Sequence, residues 1–356
     1  MRWDALRAGT PGDESPPAQP APMLFEQRAV TRTFDTPAFR GMTFFEVQAR
    51  SIINRVPDAS RLPFRWTINP YRGCSHSCVY CFARKSHTYL DLDSGHDFDS
   101  KIVVKVNAPE LVRKELAAPR WRGEHIAMGT NVDCYQRAEG RYRLMPGIIG
   151  ALRDAANPFS ILTKGTLIQR DIDLIGAAAD VTDVGLAFSV GCTDTGLWRE
   201  LEPGTPSPQR RLEACAAFTA AGLPCAVLMG PVVPFLSDSP AQLEATVRQI
   251  AQAGATSVTP IVLHLRPGAR EWFLRWLGEA HQDLVPRYRA LYGRGAYAPA
   301  AYQKQVTEQV RALARRHGVG RGAPGGARRG APRRIAPPKA RGAGPAAPTP
   351  QQLTLL

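Results

Sequence analysis

The amino-acid sequence predicts a mixed α/β protein with a parallel sheet that closes as a barrel or an open barrel. Apolar segments of strand length alternate with helical segments about six times between residues 64 and 263. This alternation is typical of parallel strands joined by right-handed helical crossovers. The chain has 356 residues, of which 44% are hydrophobic, so it is long enough to bury such a core.

The spacing of apolar residues, together with proline and glycine, sets the expected bounds of each element. Strands are expected at residues 64–68, 126–128, 159–163, 184–190, 225–229 and 257–263. Helices are expected at residues 109–116, 146–156, 167–179, 208–221 and 240–253. Asn107 is a candidate cap of the first helix, and Gly222 and Gly254 end the last two helices.

The composition divides the chain into one folded domain and two terminal segments. Residues 1–23 are rich in Pro, Ala and Gly, and residues 318–356 form a basic tail of Gly, Ala, Pro and Arg. Neither segment can bury a core, so both are predicted to be disordered. The folded domain is expected at residues 24–310, with its core at about 60–268 and a helical extension to about residue 317.

Charge and cysteine usage narrow the class of protein. The net charge is +14, and ten Lys or Arg residues with no acidic residue follow Glu308, so most of the excess lies in the tail. A solvated tail and a nucleic-acid contact are both compatible with this charge. The seven cysteines are an odd number, and no long apolar stretch or signal segment is present. We therefore expect a soluble, cytoplasmic protein without a disulfide framework or a membrane partner.

Three of the cysteines fall within eight positions. Cys74, Cys78 and Cys81 have the spacing C-x-x-x-C-x-x-C directly after the first predicted strand, and loops at this end of parallel strands carry function in barrels. Thiolates bind both iron–sulfur clusters and zinc. His76 and His87 could complete a zinc site, so structural zinc stays open as an alternative.

The longer string around these cysteines carries a family resemblance. It reads N-P-Y-R-G-C from Asn69 to Cys74 and C-V-Y-C-F-A-R from Cys78 to Arg84. With an aromatic residue, Tyr80, before the last cysteine, it resembles the signature of the radical S-adenosylmethionine (SAM) superfamily. It is similar to the branch related to spore photoproduct lyase, often described as DNA repair photolyase-like, over about residues 51–302.

This resemblance implies the cofactors and the reaction. It implies a partial (β/α)6 radical SAM barrel in which Cys74, Cys78 and Cys81 hold a [4Fe–4S] cluster and SAM chelates the iron that lacks a protein ligand. Reductive cleavage of SAM then gives a 5′-deoxyadenosyl radical, which abstracts hydrogen from an unknown substrate. The chain is thus expected to be a lyase-like or oxidoreductase-like radical SAM enzyme, with nucleic acid as a candidate substrate.

The resemblance also implies residues that contact SAM, each with a simpler alternative. Gly129, Thr130 and Asp133 match a G-T-x-x-D pattern beside its methionyl end, or form an ordinary turn. Ser189 ends the fourth strand near its ribose, or is a plain strand-end hydroxyl. The residues implied as cofactor-binding are Tyr80, Gly129, Thr130, Asp133, Ser189, Glu202 and Arg211.

The remaining site residues are less constrained. Glu202 and Arg211 also suit helix ends, where charged side chains are common. His264 and Arg266 end the sixth strand and are candidates for a substrate contact, a SAM contact or plain surface. Spore photoproduct lyase uses a cysteine after its second strand as hydrogen donor, whereas here Cys134 stands in a different register. We therefore do not expect spore photoproduct repair, and Cys134, the one catalytic candidate, also fits a structural role.

The expected partners follow from the resemblance and from the tail. The resemblance implies an electron donor, either a reductase or a protein of the flavodoxin or ferredoxin type. The chain ends with Gln352, Leu353, Thr354, Leu355 and Leu356, which resembles the peptide that docks on the replication sliding clamp, or is a chance Leu-rich ending. The alternative to an enzyme is a non-catalytic, zinc- or cluster-stabilised nucleic-acid-binding protein.

Overall fold

The fold is known from a computed structural model, which describes residues 29–57, 60 and 62–320. The expected N-terminal segment 1–23, the tail beyond residue 320 and the clamp-like ending at Gln352 and Leu356 lie outside the described residues. The described strands are β1 Val30–Arg32, β2 Thr43–Val47, β3 Ile53–Arg55, β4 Trp66–Ile68, β5 Tyr71–Arg72, β6 Lys101–Lys105, β7 Ile126–Met128, β8 Phe159–Thr163, β9 Val184–Ser189, β10 Cys225–Val232 and β11 Val258–Val262.

The helices lie between these strands and after the last of them. The described α-helices are α1 His96–Ser100, α2 Ala108–Leu116, α3 Arg137–Tyr142, α4 Leu144–Asp154, α5 Ile172–Ala179, α6 Thr195–Leu201, α7 Pro208–Ala220, α8 Pro240–Gln252, α9 Ala269–Ala280, α10 Val285–Tyr292 and α11 Ala300–His317. Single 3₁₀ segments lie at Pro37–Phe39, Phe82–Leu90, Thr166–Asp171 and Gln282–Leu284.

The larger sheet is the predicted partial barrel. Its strand order is β11-β10-β9-β8-β7-β4-β3, and the six strands from β4 to β11 in this order pair in parallel. β3 adds one antiparallel edge strand to β4. The prediction of a mixed α/β fold with six parallel strands is therefore confirmed.

The alternation of side chains explains how this sheet is covered. Ile126, Phe159 and Phe188 are at most 1% exposed on the face that packs against the helices. Ser160 and Ala187, which point to the other face, are only partly buried. The sheet thus buries an apolar face against the helices, whereas Ser160 and Ala187 on its other face are less buried.

A second sheet, which we did not predict, supports the cysteine loop. Its order is β1-β2-β6-β5, with β2 parallel to β6 and β5 antiparallel to β6. β5 consists of Tyr71 and Arg72, and only Gly73 separates it from the first cysteine of the motif. Pairing with β6 therefore fixes the point from which the loop departs.

Three local expectations differ from the structure. Asn107 does not cap α2 through its side chain, because its amide group bonds both the backbone N–H and the carbonyl of Ala49 at 2.9 Å each. The helix expected at 167–179 begins instead as the 3₁₀ segment Thr166–Asp171. Pro146 lies at the third position of α4 rather than at the start of the helix.

Three helices after β11 close the C-terminal side of the fold. α11 packs on α8 and β11 and ends at His317, with Gly318 in the left-handed conformation at φ 73°. Glycine is favoured at such a helix end because it lacks a Cβ atom. Within the described part of the chain, no helix has the length and hydropathy needed to cross a membrane.

Candidate functional site

The three clustered cysteines lie on one loop that follows β5. Cys74 and Cys78 are each 7% exposed, and Cys81 is half-buried. Gly73 begins the loop at φ 82°, and a Cβ atom there would lie 2.8 Å from Cε1 of His87. Glycine is therefore required for the sharp departure of the chain from β5.

Gln136 fixes the first half of this loop. Its Oε1 accepts a hydrogen bond from the Ser75 backbone N–H at 2.9 Å, and its Nε2 donates to the carbonyl of Gly73 at 2.8 Å. The Cys74 N–H donates to the carbonyl of Phe98 at 2.9 Å. One fully buried side chain thus replaces the backbone partners that a loop around thiols lacks.

Arg84 fixes the second half of the loop through the backbone carbonyl of Cys78. Its buried guanidinium donates twice to the carbonyl of Cys78, at 3.2 and 3.0 Å, and contacts Asp99 at 2.9 Å. The same group lies over the rings of Phe98 and Trp272 at 5.2 and 4.8 Å. Burial raises the pKa of Asp99 to about 6, although Arg84 opposes the shift. The arginine of the C-F-A-R string therefore has a structural role in shaping the motif.

The thiols are held in their protonated form when no metal is bound. Burial raises the pKa of all three, and for Cys78 it does so to about 12 against the opposing charge of Lys164. The nearby Asp133 carboxylate raises the pKa of Cys74 further. A metal that binds through these thiolates would therefore have to displace protons from this loop, as metal–thiolate bonds do generally.

Each histidine of the zinc alternative has one ring nitrogen in a polar contact within the protein. Nδ1 of His76 lies 3.3 Å from Asp133, and Nε2 of His87 lies 2.9 Å from the carbonyl of Lys101. Among the described residues, no three His, Cys, Asp or Glu side chains converge as ligands of a single metal ion. In an iron–sulfur cluster each thiolate binds a different iron atom, so convergence on one point is not required there.

A buried polar network adjoins the loop. The Tyr80 hydroxyl donates to one oxygen of Glu202, and Nη2 of Arg211 pairs with the other. Nη1 of Arg211 also donates to the carbonyl of Ser189 at 2.7 Å, and the Ser189 hydroxyl donates to the carbonyl of Gly230 at 2.8 Å. The structure thus brings four of the residues implied by the resemblance into one network.

The charges in this network are matched. Burial disfavours the Glu202 carboxylate, but Arg211 and Lys164 outweigh that effect and hold its pKa below the usual range. Burial and the nearby Glu202 charge raise the pKa of Tyr80, so its hydroxyl stays a donor. The network therefore presents an ionised but paired carboxylate beside the cysteine loop.

A small cavity lies next to this network, at the carboxyl ends of β9 and β10. It is lined by Tyr80, Gly191, Cys192, Trp198, Leu201, Glu202 and Pro231. Burial raises the pKa of Cys192 to about 12, so its thiol is neutral. No sequence pattern indicates Cys192 or Gly191, because neither stands at a defined spacing from other chemically active residues.

Asp133 braces the loops after β7 and β8. Its carboxylate accepts hydrogen bonds from the Thr163 hydroxyl at 2.6 Å and from the backbone N–H groups of Lys164 and Tyr135 at 2.7 and 2.9 Å. These donors and His76 keep its pKa well below the usual range despite burial. The carboxylate is thus engaged within the protein.

The glycine of the G-T-x-x-D pattern has a steric role. Gly129 has φ 77°, and a Cβ atom there would lie 1.7 Å from the carbonyl oxygen of Leu162. Thr130 follows it as a partly buried residue of the same turn. Cys134 is fully buried in the core, and burial raises its pKa well above the usual value. These contacts make Gly129 essential to the approach of β7 and β8 and give Cys134 a packing role.

Lys164 is a site residue that the sequence reasoning missed. It follows β8 directly, and its ammonium group lies 5.7 Å from the centre of the Tyr80 ring. Burial lowers its pKa, but the negative charge of neighbouring groups, the Glu202 carboxylate among them, outweighs burial and raises it. A lysine after a strand is common in any sequence, and only the fold shows that this one faces the thiols.

The described geometry defines a class of protein: a partial α/β barrel with three thiols on a loop at the carboxyl ends of its strands. Residues 68–250 match the Radical SAM superfamily, which is about half of the chain. The chain belongs to the Radical SAM superfamily.

Two uncharacterised proteins are similar to this chain in sequence. An uncharacterised protein of Mycobacterium tuberculosis is 50% identical over 316 residues, which cover 88% of this chain and 92% of that protein. An uncharacterised protein of Methanocaldococcus jannaschii is 29% identical over 195 residues, covering 54% of this chain and 69% of that protein.

The structural likeness is to spore photoproduct lyase. Its complex with dinucleoside spore photoproduct has a TM-score of 0.60 at 16% identity, covering 78% of this chain and 80% of that chain. A mutant of the same enzyme with bound AdoMet and the same dinucleoside has a TM-score of 0.60 at 15% identity, with coverage of 78% and 80%. At this identity the likeness shows a shared fold.

Proposed function

We propose that the chain is a radical SAM enzyme that holds one [4Fe–4S] cluster through Cys74, Cys78 and Cys81. The observation that supports this most is the loop itself, in which three neighbouring thiols lie on a backbone fixed by Gln136 on one side and Arg84 on the other. When bound and reduced, the cluster and SAM supply one-electron cleavage of SAM and abstraction of a hydrogen atom from the substrate.

The surrounding residues suit SAM. Lys164 places an ammonium group beside the thiols and Tyr80, where it is suited to bind the carboxylate of SAM. Tyr80, Glu202 and Arg211 satisfy one another, so they exclude water without leaving a buried charge unpaired. The cavity at Cys192 offers apolar surface next to them. We therefore place the SAM site at the carboxyl ends of β8 to β10.

The proposed substrate class and partners rest on the composition of the chain after Glu308 rather than on the SAM site. The basic tail that follows Glu308 favours a substrate in nucleic acid, and a thiolate-bound cluster suits a reducing cytoplasm. If the chain ending at Gln352 and Leu356 docks on a sliding clamp, its deletion will abolish capture by the clamp. Capture that is unchanged by the deletion would remove that part of the proposal.

Anaerobic reconstitution tests the enzyme assignment. Wild-type protein should gain about four iron and four sulfide per chain and, after reduction with dithionite, convert SAM to 5′-deoxyadenosine. Replacement of Cys74, Cys78 or Cys81 by Ala should abolish both, whereas Cys134→Ala, the matched control, should retain both because Cys134 lies in the core.

Two results would contradict the assignment. Zinc without sulfide in protein purified without oxygen would favour the non-catalytic nucleic-acid-binding alternative. A full cluster that leaves SAM intact would refute the enzyme assignment directly. Adding candidate single-stranded or duplex nucleic acids to the working assay then tests the substrate class, because a true substrate accelerates turnover.

A further inference from the structure

A surface patch of aromatic and basic side chains adjoins the last cysteine of the loop. Phe82 follows Cys81 directly and is 43% exposed. Cys81 is itself the most exposed of the three clustered cysteines. The guanidinium group of Arg266 lies over the Phe82 ring, 5.5 Å from its centre. The chain therefore exposes an aromatic ring and a cation close to the proposed cluster.

Neighbouring side chains hold this arrangement in place. Nη2 of Arg266 donates to the Tyr297 hydroxyl at 3.2 Å. The Tyr297 ring is 48% exposed and contacts the ring of His264 at a centroid distance of 4.6 Å. His264 and Tyr297 are also joined by a backbone bridge. The guanidinium group is thus fixed in orientation at the surface by contacts that leave its charge unneutralised.

The patch carries further positive charge. The backbone of Gly268 lies against Lys85, since a Cβ atom at Gly268 would be 2.9 Å from Cβ of Lys85. Arg270 donates only to backbone carbonyls in its described contacts. The neighbouring carboxylate, Glu271, accepts from the Gly268 N–H. In the described part of the chain no salt bridge neutralises Lys85, Arg266 or Arg270.

We infer that this patch, made of Phe82, Lys85, Arg266, Arg270 and Tyr297, is the docking surface for an acidic one-electron donor protein. The inference rests on the proposed function, because only an enzyme with a reducible cluster needs such a partner. Aromatic residues and arginine are enriched at protein interfaces, and unneutralised cations steer a negatively charged partner to its site. The position next to Cys81 brings such a partner to the cysteine nearest the solvent.

A nucleic acid is the competing occupant, since aromatic rings and cations also bind its bases and phosphates. The placement favours the electron donor, because the patch adjoins a proposed cluster ligand and Phe82 belongs to the cysteine motif itself. The test below separates the two occupants by measuring each of them on the same variants.

The test compares two charge-reversed proteins. One carries Lys85→Glu and Arg266→Glu in the patch, and the control carries Lys114→Glu and Arg153→Glu on α2 and α4. Both changes alter the net charge equally. The probes are a reduced flavodoxin and a reduced ferredoxin. Stopped-flow absorbance follows reduction of the cluster, and biolayer interferometry measures the dissociation constant of each donor with the folded protein.

The patch variant should be reduced roughly tenfold more slowly than the control at low salt, with a parallel loss of donor affinity. The difference should vanish as ionic strength rises from about 0.1 to about 1 M, because the screening length falls from ~10 to ~3 Å. Dithionite needs no docking surface, so dithionite-driven 5′-deoxyadenosine formation should be equal in all proteins.

Several outcomes would overturn the inference. Equal donor-driven rates in the patch variant and the control would do so, as would failure of both donors to reduce wild-type protein. Loss of single-stranded oligonucleotide binding with unchanged donor-driven reduction would assign the patch to nucleic acid instead. Absence of dithionite-driven turnover in wild-type protein is a different result, because it refutes the proposed function rather than the docking surface.

Discussion

Removing one charge from the buried network beside the cysteine loop should destabilise the protein strongly. Arg211 is 1% exposed, and Glu202 is 7% exposed. In Arg211→Leu the Glu202 carboxylate would stay buried without its guanidinium partner, and the carbonyl of Ser189 would lose its donor. Breaking a buried ion pair by removing one partner costs about 3–5 kcal/mol.

That free energy converts into a readily measured shift in melting temperature. For a domain of this size, each kcal/mol lowers the melting temperature by about 2–4 °C, so Arg211→Leu should lower it by roughly 6–20 °C. Arg210→Leu is the matched control, because Arg210 is the exposed neighbour on the same helix. It should change the free energy of unfolding by only about 0.5 kcal/mol.

The pH dependence gives the sign of the effect. In the wild type, Arg211 is the strongest influence that lowers the pKa of Glu202, so this pair stabilises the fold above the unfolded pKa and the stabilisation fades as pH falls. In Arg211→Leu the pKa of Glu202 should rise. Because Glu202 is then protonated in acid, the difference in free energy of unfolding between the variant and the wild type should be smaller at acid pH than at neutral pH. Adding Glu202→Gln should likewise recover part of the loss.

Thermal and urea unfolding of metal-free protein, followed by circular dichroism, measures these effects without the cofactors. If Arg211→Leu and Arg210→Leu unfold at the same temperature, or if the loss is the same at acid and neutral pH, then Glu202 is not held as a buried, paired carboxylate.

Three further predictions concern the frame of the site. Gly129→Ala should prevent folding or lower the melting temperature steeply, because the new Cβ atom meets a backbone carbonyl. In the control Gly150→Ala, in α4, the new Cβ atom meets nothing within 4 Å, so this change should stabilise the helix by about 0.5–1 kcal/mol. Equal melting temperatures of the two variants would contradict this prediction. Arg84→Lys should retain the fold but lose bound iron faster in air than wild type, because lysine cannot make both bonds to the Cys78 carbonyl; equal bleaching of the cluster absorbance would refute it. Alkylation of Cys78 in metal-free protein should rise about tenfold per pH unit from pH ~7 to ~10, because its pKa is raised to about 12, and a plateau in peptide mass spectrometry below pH ~9 would show a lower pKa.

The six parallel strands were predictable because each is a short, nearly continuous apolar run. The second sheet was not, because β2 and β6 are far apart in sequence and neither has a turn signal that joins them. Thr43 pairs with Lys101 and Val47 with Lys105. Such long-range pairing depends on the assembled core rather than on any local pattern.

In the site, too, residues with a local pattern were predictable and residues placed by long-range contacts were not. The three cysteines were predictable because their spacing is local, and the resemblance extended this to Tyr80. Gln136 was not predictable as a loop partner, because it meets Gly73 and Ser75 only through the fold, across more than sixty residues. Lys164 is likewise placed beside the thiols by the parallel order of β7 and β8. Residues that act through tertiary contacts are not marked by any local pattern in the sequence.

The raised pKa values of the thiols bear on how the site is assembled. All three cysteines are neutral in the metal-free protein, so loading with iron releases protons and should be faster at higher pH. Arg84 and Gln136 fix the backbone of the loop through the carbonyls of Cys78 and Gly73. The protein thus pre-organises the backbone, and the metal supplies the charge that ionises the thiols.

The proposed cluster is held by three thiolates, and one of its iron atoms is left open to SAM. Electron–nuclear double resonance on the reduced, air-free protein tests it most directly, with SAM labelled by ¹⁵N in its amino group. We expect a nitrogen coupling to the cluster that appears only when SAM is present. A spectrum that shows a protein side chain on the fourth iron, or no change on adding SAM, would contradict the account.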